Sequence, residues 1–287
     1  MAAVFLTGAS GFVGAHVHRA LEHRGHRVAV LRRDGPSASD LLSPGSYRAD
    51  LEGAEVVVHL AAVTGKARPS EYARVNVEGT RFLLAAARDA RCRFVLASTI
   101  AVRFPETMWY PYARSKREAE RLVAGSGLSY AILRPTMVAG PGSPVFRGLA
   151  RIARLPLIPA FGGAPALVQP ILADDLAELV ADLVESAAFD GRTLEFGGPE
   201  TMSLRNLLDL IHRRISGRPG RFLHLPLGPV LPVLAALEAI SWRLPPLTVG
   251  QMATFRFDGV AEANPLWERR RNRLAGIEEM LTASLPS

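Results

Sequence analysis

Along the first half of the chain, short apolar runs alternate with stretches of helical period. The runs at residues 4–7, 27–31, 55–60, 94–97 and 130–133 are rich in Val, Ile, Leu and Phe and predict buried strands. Between them, residues 11–24, 71–90 and 112–125 carry apolar positions at helical spacing. Gly25 and Gly125-Ser126-Gly127 stand where helix C-caps would precede the next strand. Strands alternating with helices of this length predict βαβ units, a parallel sheet and helices on both of its faces.

The texture changes after Pro135. Gly140-Pro141-Gly142-Ser143-Pro144 reads as a loop, and residues 155–170 are crowded with Pro and Gly. A helix is expected at 174–186, a strand at 193–196, and a helix at 203–216 with Ser203 as its N-cap. From Phe222 the chain is apolar and interrupted by proline, and it ends in a basic tail. Arg269, Arg270, Arg271 and Arg273 of that tail read as a solvated helix face. This predicts one domain over residues 1–140, with a returning segment near 166–198, and a smaller substrate-binding lobe from 141–165 and 199–287.

Composition narrows the class. With 48% hydrophobic and 21% charged residues among 287, the chain is neither disordered nor collagen-like. The formal charge of +7 is scattered, without the stripe or motif of a nucleic-acid-binding protein, so no nucleic-acid partner is expected. Cys92 is the single cysteine, which excludes an internal disulfide and a thiolate zinc cluster. The seven histidines and the acids show no metal-ligand spacing, and no metal is expected. The N-terminus lacks the basic region of a signal peptide and reads as a strand, and a cytoplasmic location is the expectation. The longest apolar segment, 225–242, contains Pro226, Pro229 and Pro232. It reads as a pocket lid or core helix in preference to a membrane contact, because it carries no basic polar face of its own.

The candidate chemistry begins at Thr7-Gly8-Ala9-Ser10-Gly11-Phe12-Val13-Gly14, after the first strand and at the opening of the first helix. Gly8 permits a tight turn, Gly11 lets backbone approach a pyrophosphate, and Gly14 lets the helix lie close to the sheet. The helix N-terminus offers unpaired N–H groups to phosphates. The expected fold is therefore α/β, a Rossmann-type doubly wound parallel sheet binding a dinucleotide through Gly8, Ser10, Gly11, Phe12, Val13 and Gly14. The second strand ends in Arg32-Arg33, where an acid would select NAD. Arginine suits a ribose 2′-phosphate, so NADP is favoured over NAD.

Tyr112 and Lys116 lie four apart at the start of a predicted helix and share one face. The chain has only two lysines, Lys66 and Lys116, against many arginines, which makes Lys116 informative. An ammonium beside a phenol favours phenolate and draws the phenol's ionisation toward working pH.

With these residues in place, the chain resembles the extended short-chain dehydrogenase/reductases, the group of nucleotide-sugar epimerases and dehydratases. The resemblance spans roughly residues 3–200 and rests on the glycine loop, Asp50-Leu51, His59-Leu60-Ala61-Ala62, Asn76-Val77-Glu78-Gly79-Thr80, Ser98-Thr99, Tyr112 to Lys116, and Arg134-Pro135. It implies that Tyr112 is the catalytic acid/base, that Lys116 binds the nicotinamide ribose and tunes it, and that Thr99, with Ser98 beside it, hydrogen-bonds the reacting oxygen. It implies further that Asp50, followed by Leu51, meets the adenine, that Leu60, Ala61 and Ala62 line the cofactor with Arg134 and Pro135, and that Asn76 supports the sheet or a substrate loop. Helix-pair homodimers are common among such relatives. The implied activity is hydride transfer at a hydroxyl or carbonyl of a small-molecule substrate, with nucleotide-linked sugars among the candidates.

Two departures bear on this. Only 12 residues separate Thr99 from Tyr112, a shorter connection than the sugar-nucleotide epimerases carry. The second half is closer to the atypical branch, which includes the nucleotide-binding accessory subunit of respiratory complex I. A non-catalytic dinucleotide-binding protein is therefore the alternative; retention of Thr99, Tyr112 and Lys116 together favours the enzyme.

Overall fold

The computed structural model describes residues 1–32, 40–105, 109–186, 189–241 and 248–285. Six strands form one sheet: β1 (Ala3–Thr7), β2 (Arg27–Val30), β3 (Val56–His59), β4 (Arg93–Ala97), β5 (Tyr130–Pro135) and β6 (Arg192–Phe196). Their order is β6-β5-β4-β3-β1-β2, and every pairing is parallel. The predicted strands are all found, displaced by no more than a residue or two at their ends. Val4 stands opposite both Val28 and Val56, Val57 opposite Phe94, and Leu96 opposite Ile132.

Because strand side chains alternate, this register sorts the apolar residues into two cores. Val4, Leu6, Val58, Val95 and Leu133 face helices α1 (Phe12–His23) and, after the lobe insertion, the helix Ala173–Glu185. Phe5, Val57, Phe94, Leu96 and Ile132 face α2 (Gly79–Asp89) and α3 (Pro111–Ala124). Residues 69–89 form one helical run, with an α-helical turn Pro69–Tyr72 and a π-helical stretch Ala73–Glu78 ahead of α2.

β1 has β2 on one side and β3 on the other, so the chain reverses direction across the sheet there. Such a switch point opens a crevice at the carboxyl ends of the strands. Among the described residues no strand intervenes between β2 and β3. The order is thus 2-1-3-4-5-6, one strand fewer on that wing than the 3-2-1-4-5-6 arrangement.

The sheet-packed helix Ala173–Glu185 is α5, and a third core builds the lobe from α4 (Pro144–Ala153), α6 (Leu204–Ser216) and α7 (Leu227–Ile240). Phe146, Leu149, Ile158, Leu207, Ile211 and Met252 are buried together there, beside the parallel strand pair Ile158–Phe161 and Phe222–Leu225. The Gly-Pro loop pattern does not predict α4. The helix signals are present nonetheless: Ser143 accepts a hydrogen bond from the Phe146 N–H at 3.3 Å, and Pro144 occupies the first helical position. Ser203 caps α6 as expected, accepting from the Asn206 N–H at 3.1 Å.

The arginine tail is not a solvated face throughout. Arg270 pairs with Asp182 and, at 3.2 Å, with Glu178 of α5, and Arg271 lies over the Trp267 ring. From the other side Arg24, just past α1, reaches the same two carboxylates and Glu185. The helix α5 is therefore clamped between α1 and the C-terminal segment. Its Leu179 is fully buried, so Leu179→Ala is expected to cost about 2–5 kcal/mol in urea unfolding while leaving the native circular dichroism spectrum unchanged.

Candidate active site

The glycine loop leaves β1 through Gly8, whose φ of +79° lies in the left-handed region. A Cβ on Gly8 would sit 2.6 Å from the Ala61 nitrogen, and one on Gly14 only 1.9 Å from the Gly8 carbonyl oxygen. Both positions therefore exclude any side chain. They bring α1, the β1 loop and the Leu60-Ala61-Ala62 segment after β3 into backbone contact. Gly11 is the extended N-cap residue of α1, no side chain caps that end, and its first turn holds no acid. Ser10 and Gly11 are exposed, and Phe12 and Val13 are half-buried as the helix begins.

Across the crevice, β4 leads into Ser98 and Thr99. The backbone N–H of Ala101 donates to Thr99 Oγ1 at 3.3 Å, which pins the hydroxyl at the start of the following turn. The Thr99 hydroxyl lies against the Tyr112 phenol and favours its ionised form. The helix α3 carries Tyr112, Lys116 and Glu120 at intervals of four, so all three follow one face, and Lys116 is only 2% exposed.

Burial pushes the Tyr112 phenol up to about 12, with Tyr72 adding to the rise and the Thr99 hydroxyl opposing it. The expectation that Lys116 draws the phenol down is not met: burial dominates, and Tyr112 is a protonated phenol at neutral pH. Burial lowers the Lys116 ammonium to about 8, opposed by the Glu120 carboxylate. Two tyrosines that the sequence pattern did not single out wall this place, with ring centres 6.1 Å (Tyr72) and 5.9 Å (Tyr110) from that of Tyr112. The Tyr72–Asn76 spacing of four, in step with Tyr112–Lys116, was the available signal for the first. A Cβ on Gly250 would meet Trp109 and Tyr110 at under 3 Å, so the chain near Gly250 lies directly on that loop.

A buried polar chain braces the floor. Thr80 Oγ1 donates to the Asn76 carbonyl at 2.7 Å, so it accepts from His59 Nε2–H at 3.0 Å. His59 Nδ1 then accepts from Thr7 Oγ1 at 2.7 Å, and Thr7 in turn accepts the Ala61 N–H at 3.2 Å. The directions close only for neutral His59 protonated on Nε2, and burial, aided by the Lys116 charge, lowers its pKa to about 3. Asn76 holds both the N–H and the carbonyl of Val63 and donates to Ser115 Oγ at 2.9 Å. It thereby ties the loop after β3 to the tyrosine helix, the supporting part expected of it.

The remaining candidates divide. Arg32 is exposed just past the carboxyl end of β2, beside the glycine loop; Arg33 lies outside the described residues. Pro135 ends β5 on the crevice side. The Arg134 guanidinium is engaged by protein carboxylates, gripping Glu120 at 2.7 Å and Glu195 at 3.4 Å. Asp50 and Leu51 also depart from expectation. They form a helical turn (Arg48–Leu51) ahead of the amino end of β3, at the edge of the sheet opposite the glycine loop. Leu51 is buried with Phe5 and Tyr47, and the neighbouring Arg48 pairs with Asp89 at the end of α2. Asp50 thus stands ahead of the amino end of β3, away from the carboxyl edge where the crevice opens.

The profile of the NAD dependent epimerase/dehydratase family matches residues 4–193, which contain the glycine loop, Thr99, Tyr112 and Lys116. The chain belongs to this family. It is 37% identical over 192 residues to a ceramide reductase of Caulobacter vibrioides, covering 62% of this chain and 60% of that protein. It is 32% identical over 173 residues to a farnesyl dihydroquinoline-oxide ketoreductase of Stigmatella aurantiaca, covering 50% of this chain and 52% of that one. The chain thus matches little more than half the length of these relatives. In fold it is similar to a UDP-glucuronic acid 4-epimerase from Bacillus cereus solved with NAD, with a TM-score of 0.73 at 19% identity over 98% of this chain and 97% of the other.

The residues present fit the family's dinucleotide. The N-terminus of α1 has no side-chain cap and no acid in its first turn. Ser98 Oγ is the one buried side-chain polar atom without a protein partner among the described residues, and it stands beside Thr99 at the crevice.

Lys116 links the site to stability. Its proton is held less tightly in the fold than in the unfolded chain, where the ordinary value is 10.5, so stability rises with pH from about 8. The window closes near pH 10, where Tyr110 and Tyr112, whose ionisation burial pushes up, begin to oppose it. Holding the charged form in the fold costs roughly 3 kcal/mol at pH 7. Lys116→Met is expected to abolish that rise and to raise the urea midpoint at pH 7.

Proposed function

We propose that the protein is a nicotinamide-dinucleotide-dependent reductase acting on a carbonyl of a small molecule. The observation that carries this reading is the placement of the Thr99 hydroxyl against the Tyr112 phenol at the carboxyl edge of the sheet, the edge at which α1 also opens, uncapped. When bound, the nicotinamide supplies the hydride. The backbone of Gly8 to Gly14 would hold the pyrophosphate, Lys116 the nicotinamide ribose, and Ala61, Ala62 and Pro135 would line the cofactor's path.

Tyr112 stays protonated at neutral pH and so offers its phenolic proton to a carbonyl oxygen as negative charge develops there. Thr99 Oγ1, anchored by the Ala101 N–H, steadies the same oxygen. Lys116, charged below about pH 8, favours the phenolate left behind once that proton has moved. Tyr72 and Tyr110 exclude water from the phenol.

Reduction is preferred to internal epimerisation because the relatives at 37% and 32% identity are named reductases, whereas the sugar-nucleotide enzymes are similar in fold alone. NADP is preferred to NAD because Arg32 occupies the position past β2 where an acid would hold the ribose 2′-hydroxyl.

Tyr112→Phe is expected to lower turnover by about 10²–10⁴ while leaving cofactor affinity nearly unchanged in a fluorescence titration; undiminished turnover would remove Tyr112 from the chemistry. NADPH is expected to bind about tenfold tighter than NADH, and Arg32→Ala to erase the difference. Denaturing the purified protein is expected to release no stoichiometric NAD. Retained NAD would instead identify an enzyme that recycles hydride internally.

A further inference from the structure

The helix α7 (Leu227–Ile240) presents a contradiction between its pattern and its surroundings. Leu227, Val230, Leu231 and Leu234 recur at helical spacing and pack on the lobe core, as one face of a surface helix should. The opposite face should then be polar. It consists instead of Gly228, Pro229, Pro232, Val233, Ala235, Ala236 and Ile240, with Val233 59% and Ile240 76% exposed. No charge occurs from Pro226 to Leu237. A helix apolar on all sides belongs in a core or against lipid, and this one lies on the surface.

The strand Phe222–Leu225 leads directly into α7 and continues the pattern. Its Leu223 is exposed, as are Leu155 and Leu157 on the chain entering the partner strand Ile158–Phe161. The chain segments that carry these residues hold charge of one sign. From Thr136 to Ala173 and from Leu210 to Leu237 the chain contains no Asp or Glu. Arg151, Arg154, Arg218 and Arg221 are exposed there, without a carboxylate partner among the described residues. Arg221 adjoins Leu157 through the backbone bond from the Ile158 N–H to the Arg221 carbonyl at 2.7 Å. The acids bordering these segments are engaged by the protein: Asp174 pairs with His16, Asp209 accepts from Arg213 and from the Gly220 N–H, and Glu238 accepts from the Val249 N–H. The sequence pattern argued against a membrane contact because residues 225–242 carry no basic face of their own. The fold supplies one from two other segments.

We propose that this face docks the protein on an anionic phospholipid bilayer, with α7 and Leu223 entering the interfacial layer and the arginines meeting lipid phosphates. The attachment is peripheral, since no helix among the described residues is long and apolar enough to cross a membrane. Apolar area supplies the depth of insertion and the basic rim supplies preference for negative headgroups. The inference is independent of the catalytic reading, as none of these residues lies in the crevice.

The test is flotation of the full chain with vesicles of phosphatidylcholine containing about one-quarter phosphatidylglycerol, against phosphatidylcholine alone. Strong flotation with the anionic vesicles and weak flotation with the neutral ones is expected, reduced by raising the salt to about 0.5 M. The pair Leu223→Asp and Val233→Asp should lower partitioning by about tenfold or more, and so should Arg154→Glu with Arg221→Glu. All four positions are exposed, so unchanged thermal melts are expected to separate lost docking from lost folding. Failure to float with anionic vesicles would overturn the proposal, as would flotation that both pairs leave intact. A dimer seen by light scattering that Leu223→Asp and Val233→Asp dissolve, with vesicles ignored, would assign the face to a second copy of the chain instead.

Discussion

The architecture hangs on a backbone contact between the first helix and the loop that precedes it. With no side chain possible at Gly8 or Gly14, α1 settles against the carboxyl ends of β1 and β3 and aims its N-terminus over the crevice. The direction of α1 in turn places its far end against α5. There Arg24 grips Glu178 and Asp182, and Arg270 closes on the same acids from the C-terminal segment. Loop, helix and clamp form one mechanical train from the phosphate end of the crevice to the outer edge of the fold.

The site opposes solvation to function. Lys116 and Tyr112 are placed where burial disfavours their charged forms, and His59 beneath them is kept neutral by burial and by the Lys116 charge. An arrangement selected for stability alone would put apolar side chains in these places. The polar chain from Thr80 through His59 to Ala61 makes the burial tolerable by leaving no donor or acceptor in it idle.

Strands, sheet helices and the chemistry-bearing positions were legible because each depends on local pattern. Period two marked the strands, strand-loop-helix context marked Gly8 to Gly14, and a spacing of four marked Tyr112 with Lys116. What escaped depends on contacts distant in sequence. Asp50 looked like an adenine-binding acid, yet it sits in a helical turn ahead of β3, and a dipeptide cannot report which end of a strand it will stand at. Arg134 looked available until Glu120 and Glu195 arrived from α3 and β6. The lobe helix α4 was missed amid Gly and Pro, although its cap and first-turn proline were written in the sequence. Tyr72 and Tyr110 lie far apart along the chain and meet only at Tyr112.

The π-helical stretch Ala73–Glu78 gives the helical run 69–89 a change of phase. A wide turn of this kind accommodates an additional residue and offsets the helix before it from the helix after it by about 100°. That offset allows Asn76 to face Val63 and Ser115, and Tyr72 to face Tyr112, while Leu83 and Ala87 of α2 stay seated on the sheet. A regular α-helix through the same residues could satisfy the sheet or the crevice but not both. The irregularity lets one continuous element serve two directions at once.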